Sequence, residues 1–132
     1  MRYKLLFLDT NHSLSAIAAY LAQDYSNENV EIASAGLYNE ALPEMTRTAL
    51  DRMHIPAFDR VTFESISGQT FDLVVVLGLL TSQQCPLFQG VPPVIHWKII
   101  EPQSGEFALW QQLSNELRML LRSLFEHGFL KA

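Results

Sequence analysis

The chain has 132 residues, 48% of them hydrophobic, which suits one domain with a sizeable core. Nine Lys and Arg against 14 Asp and Glu give a net charge of -5, with no basic run. That balance argues against nucleic-acid and anionic-membrane partners. Cys85 is the single cysteine, so an intrachain disulfide and a cysteine zinc cluster are excluded, and a reducing cytoplasmic setting is expected.

Met1-Arg2-Tyr3-Lys4 precedes an apolar run, but that run ends at Asp9, too short for a signal segment. Lys4 to Leu8 reads as a strand buried on both faces. Asp9 to Ser13 is a polar turn, with Ser13 a candidate cap for the helix that follows. That helix runs from about Leu14 to Tyr25, with Leu14, Ile17, Ala18 and Leu21 on one apolar stripe. Val30 to Ala35 is a second strand, ended by Gly36. Pro43 suits a first helical turn, and the helix continues to about Met53 with Met45, Ala49, Leu50 and Met53 inward. Arg60 to Thr70 reads as a loop with a short turn. Phe71 to Leu77 is a strongly apolar strand, punctuated by Gly78. Leu79 to Phe88 is expected to hold a short helix, and Val94 to Ile99 a fourth strand. Phe107 to about His127 is the longest helix, with Leu109, Leu113, Leu117, Leu120, Leu121 and Leu124 inward and Gly128 beyond its end.

Strands alternate with helices along one domain spanning 1–132. The pattern predicts an α/β fold with a parallel sheet, right-handed crossovers and helices on both faces. In such a fold ligands bind where strand ends meet helix starts, which places the junction Leu5 to Ala18 at the centre.

Several segments together resemble the low-molecular-weight protein tyrosine phosphatases and the thioredoxin-coupled arsenate reductases. They are the first strand with its polar loop and small-residue helix, the second strand Val30-Glu31-Ile32-Ala33-Ser34-Ala35-Gly36 with its Ser-Ala-Gly end, and Phe71-Asp72-Leu73-Val74-Val75-Val76. Cys85-Pro86-Leu87-Phe88 with Ile95-His96-Trp97 is similar to the reductase branch, and Glu101-Pro102 falls where the family has Asp-Pro. The resemblance implies a three-layer sandwich around a four-stranded parallel sheet in the order 2-1-3-4. It also implies a loop signature Cys-x5-Arg-Ser, in which a cysteine attacks phosphorus while loop amides and the arginine hold the oxyanion.

Asp9 stands where that cysteine is expected. The arginine position falls on Ser15, or on Leu14 if the loop is one residue shorter. The reductase branch's first resolving cysteine falls on Gly78. The expected reading is therefore a degenerate, pseudoenzyme-like member acting as a binding or regulatory module. No cofactor and no resident metal are implied. The loop residues Asp9, Thr10, Asn11, His12, Ser13 and Ser15 form the candidate ligand site. No Lys or Arg occurs from Leu5 to Thr46. A helix terminus favours an anion by about 0.3–1 kcal/mol. Two like charges about 4 Å apart repel by about 4 kcal/mol at an effective dielectric of about 20. A small anion is thus expected to bind weakly beside Asp9.

An alternative is a phosphatase or hydrolase of altered chemistry using Asp9, His12 and Glu101, with a divalent metal as an option. Each of these residues also has a plainer reading. Asp9 can cap the turn or bind loop amides, and His12 can be a surface hydrogen-bonder. Glu101 can keep the family's acid role, which means less without a nucleophile. Cys85 is either a redox thiol or a small buried side chain before Pro86. His96 reads as a structural strand histidine, while His54 and His127 lie near helix ends. Lys98, on the fourth strand, is a candidate to reach the pocket and supply a cation. An exposed patch of Phe107, Trp110, Phe125, Phe129 and Leu130 would mark a protein partner or a homodimer.

Overall fold

In the computed structural model, which describes residues 3–79 and 83–127, the chain order is β1 (Tyr3–Asp9), α1 (Leu14–Ala22), β2 (Val30–Gly36), α2 (Glu44–Arg52), α3 (Phe63–Ile66), β3 (Leu73–Leu77), β4 (Val94–Trp97) and α4 (Phe107–His127). The strands form one four-stranded sheet in the order β2-β1-β3-β4. Every pairing is parallel, as the alternation of strands and helices predicts.

Position in the sheet explains the composition of each strand. The central strands β1 and β3 are nearly continuous apolar runs, and Leu5 to Leu8 and Leu73 to Leu77 are all buried. The edge strand β4 alternates exposed and half-buried residues. Alternate residues of β1 and β3 enter separate cores. Leu5, Phe7, Leu73, Val75 and Leu77 pack with α1, α2 and α4, whereas Leu6, Leu8, Val74 and Val76 pack with Phe63 of α3 and Phe71. That is the period-two alternation of a strand, and it puts helices on both faces. No described helix is long and apolar enough to cross a membrane.

The long helix α4 buries Trp110, Leu113, Leu117, Leu121 and Leu124. Leu109, expected inward, is exposed, and Leu120 is half-buried. The stripe begins at Trp110, whose Nε1 donates to the Ser104 carbonyl at 2.9 Å, satisfying its one polar atom. Because Trp110 is buried and Phe107 and Phe125 are half-buried, these residues do not form the exposed patch suggested above. Phe129 and Leu130 lie outside the described residues. On α2 the buried residues are Thr46, Ala49 and Leu50, with Met45 and Met53 half-buried.

The expected helix over Leu79 to Phe88 is absent among the described residues. Gln83 to Cys85 is turn and bend, Pro86 to Phe88 is irregular, and Leu79 and Leu87 are exposed. Pro86 disfavours helical geometry at Cys85, and the apolar side chains here have no common helical face to bury. Leu80 to Ser82 lie outside the described residues. Helix α1 ends at Ala22 rather than Tyr25, where the amides of Gln23, Asp24 and Tyr25 turn back onto carbonyls three residues earlier. The turn expected between Arg60 and Thr70 is the single helical turn α3.

Candidate functional site

The site lies at the carboxyl end of β1, in the middle of the sheet. There the chain leaves Asp9 and reaches α1 through four residues. Gly36, at the end of the neighbouring strand, makes the return possible. A Cβ on it would lie 2.6 Å from the His12 nitrogen and 2.9 Å from the Asn11 carbonyl carbon. Only glycine leaves room for the loop backbone to cross so close. His12 itself has φ 61°, in the left-handed region.

Other segments then hold the loop. The amides of Leu37 and Tyr38 donate to the carbonyls of Asp9 and Thr10, both at 2.8 Å. Arg60 Nη2 donates to the Asn11 carbonyl at 3.0 Å. His12 is not the surface residue expected: it is buried, with 3% of its area exposed. The Val61 amide donates to its Nδ1 at 3.0 Å. That bond makes Nδ1 the acceptor and puts the ring proton on Nε2, which lies 2.8 Å from Ser34 Oγ and donates to it. Phe58 packs edge-on against the ring. Burial, and secondarily the Arg60 charge, lower the His12 pKa from 6.5 to about 4, so the imidazole is neutral at pH 7. Both ring nitrogens are committed. Among the described residues no group of three His, Cys, Asp or Glu is placed to hold a metal ion.

Asp9 does what its plainer reading expects. Its Oδ2 accepts the amides of Ser13 at 3.2 Å and Leu14 at 3.0 Å, and its carboxylate also takes a backbone bond from His12. Successive loop amides thus converge on the chain's own carboxylate. Ser13, expected as the cap of α1, makes no side-chain cap bond. Asp9 fills that role because it already sits in the N-terminal field of α1.

The rest of the site is acceptor-rich. Ser15 Oγ is 2.5 Å from Asp9 Oδ1 and 3.1 Å from the Ala35 carbonyl. Ser13 Oγ donates to Asn11 Oδ1 at 2.6 Å and lies 3.3 Å from Asp9 Oδ2. Glu101 comes in from the loop after β4 and bonds to Ser13, with Thr46 Oγ1 3.5 Å from its Oε1. Burial raises the Asp9 pKa against the pull of its hydrogen bonds. Burial also raises the Glu101 pKa, with the charge of Asp9 adding to it.

Asp9, Asn11, Ser13, Ser15 and Glu101 therefore come together, while His12 turns to Ser34 and Val61. Thr46, Arg60 and Val61 support the site without having been singled out, as does Ser34, which the sequence marked only as part of the Ser34-Ala35-Gly36 motif. Thr46 alone had a usable signal, three residues before Ala49 on the inward face of α2. Lys98 and His96 are exposed. Cys85 is half-buried against the α3-side core, and burial raises its thiol pKa, away from a reactive thiolate. Gly78, at the resolving-cysteine position, has φ 81°, and a Cβ there would meet Leu14 Cδ1 at 3.3 Å.

Solved structures share this architecture. The arsenate reductase of Archaeoglobus fulgidus DSM 4304 matches with a TM-score of 0.70 and 22% identity, over 92% of this chain and 98% of that one. A YwlE mutant from Bacillus subtilis matches at 0.67 with 21% identity, over 94% and 97%. An arsenate reductase in its oxidized state matches at 0.74 with 14% identity, over 92% and 95%. No protein-family model and no curated protein matches the chain. The chain has the low-molecular-weight phosphatase and arsenate reductase fold, built around a loop that contains neither cysteine nor arginine.

Proposed function

We propose that this chain is a catalytically degenerate protein on the phosphatase and arsenate reductase scaffold, serving as a binding or regulatory module. The observation that carries this reading is the seat of Asp9. Amides of the kind that hold an oxyanion in a phosphate loop are taken by the chain's own carboxylate. An incoming phosphate has to displace a buried, multiply bonded group and finds no loop arginine in exchange. The alternative hydrolase needs His12 as a base or metal ligand, and both its ring nitrogens are engaged. Glu101 is held by Ser13 with its pKa raised by burial, and the carboxyl beside it, Asp9, is engaged by loop amides and Ser15 rather than free to attack.

The test is turnover of an aryl phosphate and of arsenate with thioredoxin, for the wild type against Asp9→Ala. The expected result is no difference between the two proteins and no turnover above buffer. Hydrolysis by the wild type at least tenfold above Asp9→Ala would overturn the reading. A parallel titration with inorganic phosphate, followed by the amides of Thr10 to Ser15, is expected to move them in Asp9→Ala and not in the wild type.

A further inference from the structure

A concave region lies away from the Asp9 carboxylate, between α2 and the segment that leads into Arg60. Its volume is about 470 Å³, within the range of small-molecule sites. Leu42, Leu50, Ile55 and Phe58 give it an apolar wall, and Arg47, Arg60 and Asp51 its charge. Leu50 and Ile55 are otherwise buried core residues, so the floor is the rigid underside of α2.

The two arginines are unusual in this molecule. They border the site of a chain whose net charge is -5. Arg47 makes no ion pair among the described residues. Arg60 spends Nη2 on the Asn11 carbonyl, while its Nε is buried with no hydrogen-bond partner. A buried donor without an acceptor is a rare and costly arrangement in a native protein. A planar guanidinium suits a carboxylate, which can accept at both oxygens. With Asp51 also at the rim, the lining carries two positive charges and one negative. That balance favours a monoanion over a phosphate dianion.

We propose that this cavity binds a small amphipathic carboxylate, its apolar body against Leu42, Leu50, Ile55 and Phe58 and its head on Arg47 and Arg60. The site does not depend on the chemistry of the Asp9 loop, so it stands or falls separately from the function proposed above. It does touch that loop mechanically. Arg60 holds Asn11, so an occupied cavity pulls on the backbone next to His12.

The probe is octanoate, with neutral octanamide as the matched control, followed by the methyl signals of Leu50 and Ile55 and the amides of Asn11 and His12. Saturable shifts are expected with octanoate, at least tenfold weaker binding with octanamide, and no competition by inorganic phosphate. Arg47→Gln is the clean variant, since Arg47 makes no ion pair that holds the fold, and it is expected to weaken octanoate about tenfold, a typical loss for one charge-assisted pair. Arg60→Gln should do the same and also uncouple the Asn11 amide from the methyl shifts. Octanamide binding within threefold of octanoate would overturn the proposal. So would Arg47→Gln binding octanoate as tightly as the wild type, or the absence of saturable methyl shifts. Asp9→Ala is expected to keep saturable octanoate binding and its dependence on Arg47, which separates this result from any failure of the loop reading.

Discussion

The Asp9 loop and the Arg60 cavity meet at one hydrogen bond, yet they solve opposite problems. In the loop, the main buried groups have partners within the chain: amides on Asp9, the His12 ring between Val61 and Ser34, carbonyls under Leu37 and Tyr38. Beside the cavity, the Arg60 Nε is buried without an acceptor, and Arg47 makes no ion pair among the described residues. A self-satisfied site resists ligands because each new contact must first break an old one. An unsatisfied one gains contacts outright. The shared fold points to the loop as the place of function, and the unsatisfied groups point next door.

The comparison breaks most severely at Gly36. Gly36→Ala sets a Cβ against the backbone of Asn11 and His12, which cannot rotate away. Overpacking typically costs about 1–3 kcal/mol, and backbone contact belongs at or above the top of that range. Chemical denaturation should show a loss of about 3 kcal/mol or more, with the loop amides shifted together. A wild-type midpoint would mean that the loop is not held as tightly as the geometry requires.

His12→Ala comes next. It leaves the Val61 amide and the Ser34 hydroxyl without their partner, and about 2–4 kcal/mol should be lost for two buried hydrogen bonds and the ring contact. The pH dependence has a definite sign. The native pKa is lowered from 6.5 to about 4. Between those values the unfolded chain takes up a proton that the native state refuses. This stabilisation is therefore complete above about pH 6.5 and is lost as pH falls toward 4. In His12→Ala that part of the acid slope should disappear.

Much of this was legible beforehand, for a physical reason. Central strands must be apolar on both faces, so Leu5 to Leu8 and Leu73 to Leu77 announce the sheet, and Ser34-Ala35-Gly36 announces the strand beside the loop. Asp9 as a ligand of loop amides was also readable, because short acidic side chains favour such turns. The burial of His12 was not. Its partners are Ser34, Phe58 and Val61, and the last two are supplied by a segment more than forty residues away, which no local pattern registers. Arg60 was hidden for the same reason, and the cavity beside it has no linear motif. The helix expected near Cys85 is not found among the described residues, where Pro86 disfavours helical geometry at the residue before it.

The smallest effect is the sharpest test of the loop's protonation. The hydroxyl of Ser15 has one proton, yet it lies 2.5 Å from Asp9 Oδ1 and 3.1 Å from the Ala35 carbonyl. With Asp9 ionised, both neighbours are acceptors and one goes without. With Asp9 protonated, its O–H donates to Ser15, whose own proton goes to Ala35, while Oδ2 still receives the loop amides. Burial raises the Asp9 pKa in the direction this arrangement needs. A raised carboxyl contributes stability that is complete below its unfolded value of about 4 and is lost as pH rises through the folded value. Asp9→Asn imitates the protonated acid, with a carbonyl for the amides and an N–H for Ser15. At neutral pH it should stay within about 1 kcal/mol of the wild type, since each of those bonds is kept. It should also remove the loss of stability that the wild type shows as pH rises through the raised folded value of Asp9. If Asp9→Asn instead costs as much as Asp9→Ala at pH 7, the native side chain is a carboxylate, and the loop amides are balanced by a full negative charge rather than by a neutral acid.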